Sequence, residues 1–164
     1  MSTTRGVLYI HSAPSAVCPH IEWAVGGVFG APARIAWTAQ PIERAAYRTD
    51  HTWTGPIGTA ARLASVLKGW QKLRFEVTEE ATPTSEGQRY SYTPALGIFS
   101  AVTGLHGDIQ VPEDRLRHAM ASTGRGRDLS VALADLLGEP WDDELEPFRH
   151  AGDGAEVRLL HEVV

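Results

Sequence analysis

Residues 59–80 read TAARLASVLKGWQKLRFEVTEE and contain two periodicities in direct succession. Four apolar side chains recur at the i, i+3, i+4 and i+7 spacing of one helix face: Leu63, Val66, Leu67 and Trp70. Thr59 precedes them and can cap the helix. In residues 73–78 apolar and polar side chains alternate instead, as they do in a half-buried strand. The stretch therefore predicts a helix that leads directly into a strand.

The residues before this stretch predict the rest of a unit. A short apolar run at residues 7–10 predicts a buried strand, and residues 19–29 have helical apolar spacing. Residues 33–41 and 46–55 each alternate and predict two antiparallel strands. The resulting order matches the ferredoxin-like βαββαβ layout, in which two helices lie side by side on one face of an antiparallel sheet. We therefore predict an α+β fold with a ferredoxin-like core in residues 1–80.

The second half of the chain predicts further strands and two C-terminal helices. Residues 88–102 and 107–111 have strand character. One helix begins at Pro112, and another is capped by Asp128 or Ser130. We expect these helices either to enlarge the sheet or to pack on its open face.

The C-terminal residues are acidic. Residues 139–164 carry a formal charge of −6, whereas residues 1–138 carry +1. We interpret EPWDDELEP, residues 139–147, as a solvated loop, although a docking segment anchored by its Trp and Leu is an alternative. Residues 155–164 predict one more strand.

The length of 164 residues fits a single domain, residues 1–164, in which residues 81–164 form an extension packed on the core. A net charge of −5 argues against nucleic-acid binding, because phosphate neutralisation needs a basic surface. The sequence has no apolar run near the ~18 residues that span a bilayer and no secretory leader. The single Cys18 excludes an intrachain disulfide, so we expect a cytoplasmic protein.

The N-terminal segment contains the first candidate site. His11, Cys18 and His20 are candidate metal ligands, and Cys18 with His20 could serve as nucleophile and base. Their spacing matches no metal motif, so we predict no metal and no cofactor. In the alternative that we favour, His11 ends a strand, Cys18 is a small buried side chain and His20 lies in a first helical turn.

The second candidate site is a group of residues suited to recognition. Arginine suits phosphate and carboxylate groups, and tyrosines that share a strand face are common in recognition surfaces. The alternatives are a solvated helix face and an ordinary cross-strand aromatic pair. The candidate binding residues are Arg115, Arg117, Arg125, Arg127, Tyr90 and Tyr92.

Tryptophan is abundant, with five residues in the chain. We expect four of them on core faces of the predicted elements: Trp23, Trp37, Trp53 and Trp70.

Several stretches together resemble an actinobacterial family of small proteins described as a domain of unknown function. They run from Thr4 to about Arg115 and include TRGVLYIHSAP, CPHIEWA, GTAARLASVLKGW, LRFEVTEE, TPALGIF and VPEDR. The resemblance implies a small cytosolic protein and supplies no catalytic residue. Some members of the family are associated with gene neighbourhoods of type II fatty-acid synthesis, which implies an acidic carrier protein or a phosphopantetheine-type group as a partner.

Three functions follow from these features. We favour a non-enzymatic binding or regulatory module that docks a partner protein or a small, for example phosphate-bearing, anionic ligand. The alternative is a small enzyme or metal-binding protein that uses His11, Cys18 and His20. A third is a homo-oligomer formed through an open sheet face.

Overall fold

The computed structural model describes residues 2–151, which form one seven-stranded antiparallel sheet with helices. The strands are β1 (Thr3–Pro14), β2 (Thr38–Ala39), β3 (Ala46–Pro56), β4 (Arg74–Glu79), β5 (Gly87–Thr93), β6 (Gly97–Thr103) and β7 (Ile109–Gln110). Their spatial order is β2-β3-β1-β4-β5-β6-β7. The predicted α+β class is confirmed.

Five α-helices accompany the sheet in this part of the chain. They are α1 (Cys18–Phe29), α2 (Thr59–Leu67), α3 (Glu113–Thr123), α4 (Leu129–Leu136) and α5 (Glu139–His150). Helices α1 and α2 share one core with alternate residues of β1 and β4, among them Leu8, Ile10, Phe75 and Val77. The first two helices therefore pack together against one face of the sheet.

A buried carboxylate fixes the start of α2. Gly58 adopts a left-handed conformation with φ 96°, and its backbone N–H donates to Glu79 Oε2 at 3.1 Å. The N–H of Ala60 donates to Glu79 Oε1 at 3.0 Å. An acid suits this position because the first N–H groups of a helix lack partners within the helix and carry partial positive charge. The predicted cap Thr59 is instead the first helical residue, and its hydroxyl donates to Pro56 O.

Helix α5 covers the opposite face of the sheet. Glu76 alternates with the core residues Phe75 and Val77 on β4, and it binds Arg149 of α5. Trp141, near the other end of α5, packs on Phe99 of β6 with ring centroids 5.1 Å apart. The interpretation of residues 139–147 as a loop is therefore wrong.

Two more local predictions are corrected. Of the strand predicted at residues 33–41, only Thr38–Ala39 pairs with β3, while Trp37 donates from Nε1 to Glu22 of α1. Trp23 is 81% exposed, because it lies two residues and hence about 200° around the helix from the buried Ile21.

The other predictions have mixed outcomes. Trp53 is 5% exposed and lies in the core, and Asp128 caps α4 by accepting from the N–H of Ser130. The strand predicted at residues 155–164 lies outside the described residues. None of the helices within residues 2–151 is long and apolar enough to cross a membrane.

Candidate functional site

Glu76 is the centre of a buried polar cluster on the α5 face. Its carboxylate accepts from His11 Nε2 at 2.8 Å, from Arg149 Nε at 2.7 Å and from Arg149 Nη2 at 2.8 Å. The Glu76 side chain is only 8% exposed. The paired geometry of the arginine bonds gives a strong and directional contact between helix and sheet.

The cluster continues along β5 and α5. Ser91 Oγ and Arg89 Nη2 both lie 3.3 Å from Glu76 Oε2 and donate to it. Asp142 Oδ1 then accepts from Arg89 at 3.2 Å and from Arg149 at 2.7 Å. Both arginines are thereby committed to carboxylates of the protein.

Sheet register brings the cluster together. Glu76 lies directly opposite Tyr9 on β1 and Ser91 on β5, so three central strands contribute to one level of the sheet. The register of β1 shifts after Ile10, and His11 lies at this irregularity. Such irregularities re-aim side chains, and here the His11 ring meets Glu76.

The cluster changes the acidity of its members. Burial acts to raise the pKa of Glu76, but the hydrogen bonds and charges of His11 and Arg149 outweigh it and lower that pKa well below its usual range. Burial also acts to lower the pKa of Arg149, and its bonds to Glu76 and Asp142 outweigh this and raise that pKa. Glu76 is therefore ionised at neutral pH.

The ionised carboxylate determines the tautomer of His11. An ionised carboxylate can only accept hydrogen bonds, so His11 Nε2 carries the proton that it shares with Glu76. The other ring nitrogen, Nδ1, is buried without a hydrogen-bond partner in the described structure. Tyr9 stacks on the ring at 5.9 Å and holds it in place.

His11 lines a cavity of about 780 Å³ on this face. The volume lies within the ~300–1,000 Å³ range of small-molecule sites. Polar and charged side chains dominate the wall around His11: Tyr9, Arg48, Asp50, Glu76, Thr78, Glu79, Glu80, Gln88, Arg89, Thr103, His106 and Arg149. We call this space the His11 cavity.

Arg48 is the cation of the His11 cavity that retains most of its donors. Its side chain is 11% exposed, and its one ion pair within residues 2–151 is with Asp50 at 3.8 Å, beyond hydrogen-bond distance. Asp50 itself is 57% exposed. A nearly buried guanidinium with so weak a partner is available to an anionic group.

The arginines that the sequence singled out lie elsewhere, on and after α3. Arg117 pairs with Glu113, and Arg127 pairs with Asp135. Arg115 and Arg127 line a separate groove of about 880 Å³ whose apolar wall includes the rings of Phe99 and Trp141, which are tilted by 35°. Arg115 and Arg125 are exposed and have no ion pair within the described residues.

The two candidate tyrosines face the α1–α2 core. Tyr92 is 7% exposed and stacks on Phe75 with ring centroids 5.3 Å apart, while Tyr90 is half-buried and packs against the same core. Burial raises the pKa of Tyr90, as expected for a phenol without ready access to water.

The structure separates the N-terminal candidates. His11 is buried against Glu76, whereas His20 is exposed on α1. Cys18 is buried with Sγ 3.6 Å from Pro14 O, and burial followed by the charge of Glu22 raises the pKa of its thiol. Within residues 2–151, no group of three or more His, Cys, Asp and Glu side chains is placed to hold a metal ion.

Glu76, Arg89 and Arg149 belong to no site that the sequence pattern predicts. Their separations of 13 to 73 residues leave no local motif, and Glu76 follows the alternation of a strand whose polar face meets water. The sequence does contain one signal for this site, an arginine and an acid on neighbouring strands. Their proximity can be recognised only once the pairing register of the strands is known.

Comparison with known proteins identifies a family for the chain, and it identifies no activity. No curated protein and no solved structure matches the chain. One family model, described as "Protein of unknown function (DUF3145)", matches residues 7–162. The matched range includes His11, Glu76 and Arg149, so the polar cluster lies inside the segment that defines the family. The chain belongs to the DUF3145 family of proteins of unknown function.

Proposed function

We propose that this protein is a non-enzymatic binding module that holds a small anionic molecule in the His11 cavity. The observation that carries the proposal is the nearly buried guanidinium of Arg48 in the wall of a cavity that is also lined by His11, whose Nδ1 is buried without a hydrogen-bond partner. Buried polar atoms are nearly always satisfied, and exceptions call for a ligand, water or a functional reason. The neighbouring Arg48 supplies the positive charge.

The test is an NMR titration of the isotope-labelled protein with acetate and with inorganic phosphate. We expect shifts of backbone resonances confined to the strands around His11 and Arg48, and their loss in Arg48→Gln. Arg34→Gln is the matched control, because Arg34 is exposed and outside the cavity lining. Shifts that are absent, or that persist in Arg48→Gln, would refute the proposal.

A second candidate function is docking of a partner protein on the surface formed by α3, α4 and the β5–β6 region. Thirteen large apolar side chains are exposed within the described residues, and eight of them lie between residues 96 and 137. The unpaired Arg115 and Arg125 belong to the same region. Apolar side chains mixed with free arginines suit an acidic partner.

The gene-neighbourhood association makes an acyl carrier protein the partner to test first. Binding measured by calorimetry should weaken at high salt and in Arg115→Gln with Arg125→Gln. Binding should be unchanged in Arg5→Gln, which removes a charge from an exposed ion pair elsewhere. Unaltered affinity in the double variant would remove this candidate.

The alternatives of a small enzyme and of a metal-binding protein use three residues, and only one of these, His11, lies at the cavity. His11 lines the cavity and has an orienting carboxylate, as general bases do, while Cys18 and His20 do not line it. A small enzyme is thus supported at His11 alone.

We also propose that residues 1–80 form a ferredoxin-like core in an actinobacterial, cytoplasmic protein. The antiparallel order β2-β3-β1-β4, with α1 and α2 sharing one core, supports this topology. Homo-oligomer formation is a further proposal. Light scattering over a range of protein concentrations tests it.

A further inference from the structure

We infer that the molecule held in the His11 cavity is a polyhydroxylated compound with a single anionic group, such as a sugar acid or a sugar phosphate. This inference rests on the proposed binding function and names the ligand class for the same site. The ligand class follows from the hydrogen-bond donors and acceptors of the cavity wall that are not already committed to partners within the protein.

The charges in the wall favour one anionic group and not several. Arg149 donates to Glu76 and Asp142, and Arg89 lies within hydrogen-bond distance of the same two carboxylates. Arg48 is then the cation whose donors are free for a ligand. A second or third anionic group would meet Asp50 and the paired carboxylates, which repel it.

The remaining wall favours hydroxyl groups. Thr78 Oγ1 accepts from the N–H of Val7 at 3.2 Å, which leaves its own proton to donate. Gln88 and Thr103 add groups that both donate and accept. Hydroxyls match such a mixed wall because each one donates and accepts.

Acidic side chains in the wall point to the same class. Asp50 has only its 3.8 Å contact with Arg48 within the described residues, so its oxygens can accept from ligand hydroxyls. Carboxylates that accept from hydroxyls form charge-assisted hydrogen bonds, which are stronger than neutral ones. An apolar anion, such as a fatty acid, offers these acceptors no hydrogen-bond donor.

The experiment is calorimetry of the full chain with matched probes of six carbons. Gluconate and glucose 6-phosphate carry hydroxyls and an anionic group, hexanoate carries only the anionic group, and glucose carries only hydroxyls. We expect gluconate or glucose 6-phosphate to bind at least about tenfold more tightly than hexanoate, because hexanoate leaves polar groups of the wall without partners and one unpaired polar group weakens binding by about tenfold. Whichever of gluconate and glucose 6-phosphate binds more tightly shows whether the site prefers a carboxylate or a phosphate.

Two variants assign the preference to residues. Arg48→Gln should abolish the preference for gluconate over glucose. Thr78→Val should reduce the preference for gluconate over hexanoate while leaving the Glu76 cluster intact.

The outcomes separate this inference from the function on which it rests. Equal affinity for hexanoate and gluconate would overturn the hydroxyl assignment and leave an anion site. Equal affinity for glucose and gluconate would overturn the anionic group in both proposals. No binding of any probe, together with no NMR response to acetate or phosphate, would overturn both.

Discussion

Arg149 and Glu76 join the last turn of α5 to the centre of the sheet through two hydrogen bonds, Nε to Oε1 at 2.7 Å and Nη2 to Oε2 at 2.8 Å, across 73 residues of sequence. The same carboxylate accepts from His11, which lines the proposed ligand cavity. One buried acid therefore fixes the covering helix and the tautomer of the candidate binding residue. The first prediction tests this double role.

Replacing Glu76 should destabilise the protein strongly. Glu76→Gln removes a buried charge on which Arg149 and His11 depend, and breaking one partner of a buried ion pair costs about 3–5 kcal/mol. Urea denaturation measures the change. Glu80→Gln is the matched control, since its exposed pair with Arg5 is worth at most about 1 kcal/mol. Equal losses in the two variants would contradict the central role of Glu76.

Lowering the pH should destabilise the wild-type protein because Glu76 becomes protonated. The pKa of Glu76 is lower in the folded protein than in the unfolded chain, so the unfolded chain binds more protons in acid and stability rises with pH in this window. The contribution is complete above the unfolded pKa of about 4.3 and is lost as pH falls toward the folded pKa. Urea midpoints across this range should fall more steeply for the wild type than for Glu76→Gln. Parallel profiles would refute this.

Gly6 should tolerate no side chain. A Cβ at this position would lie 1.8 Å from the backbone oxygen of Thr78 on β4 and 2.6 Å from Trp53. Gly6→Ala should therefore cost at least about 3 kcal/mol, or prevent accumulation of folded protein, since β1 and β4 cannot both keep their places. Thermal denaturation measures the effect.

The control for that prediction is a glycine with open space. Gly27 lies in α1, and nothing comes within 4 Å of a Cβ built on it. Gly27→Ala should raise stability by about 0.5–1 kcal/mol, because alanine loses less entropy in a helix. A gain at Gly6 would show that the two strands lie farther apart than described.

Cys18 should react slowly with thiol reagents in the native protein. Its side chain is buried, and its pKa is raised, so little thiolate forms at neutral pH. Labelling by a chromogenic disulfide should accelerate in urea as the protein unfolds. Native labelling as fast as in urea would restore Cys18 as a candidate nucleophile.

Local pattern predicted the elements whose apolar spacing is regular. The helix of residues 59–67 and the strand after it have clear periodicity, and Leu63 and Leu67 are fully buried as predicted. Val66, in contrast, is 39% exposed. A 100° step per residue places it at the edge of the buried face, where pattern alone does not decide exposure.

Helix α5 shows what local pattern cannot supply. Its acids, with proline at positions 140 and 147, are typical of a loop, yet distant contacts hold the segment helical. Trp141 donates to Gly97 O, and Arg74 lies 4.4 Å from the ring of Phe148. The polar cluster has the same origin, since its members meet only after three strands and α5 assemble. Tertiary contacts thus decide both the missed helix and the missed site.

The two faces of the sheet are held by different forces. Aliphatic and aromatic packing attaches α1 and α2, whereas α5 is attached by guanidinium–carboxylate bonds together with the packing of Trp141 on Phe99 and the burial of Leu145. Sulfate and other excluded salts strengthen apolar burial, while guanidinium ions compete for carboxylates. Guanidinium chloride should accordingly release α5 before the rest of the sheet, and urea should unfold both faces together. The choice of denaturant would thus release α5 from the rest of the protein without any change in sequence.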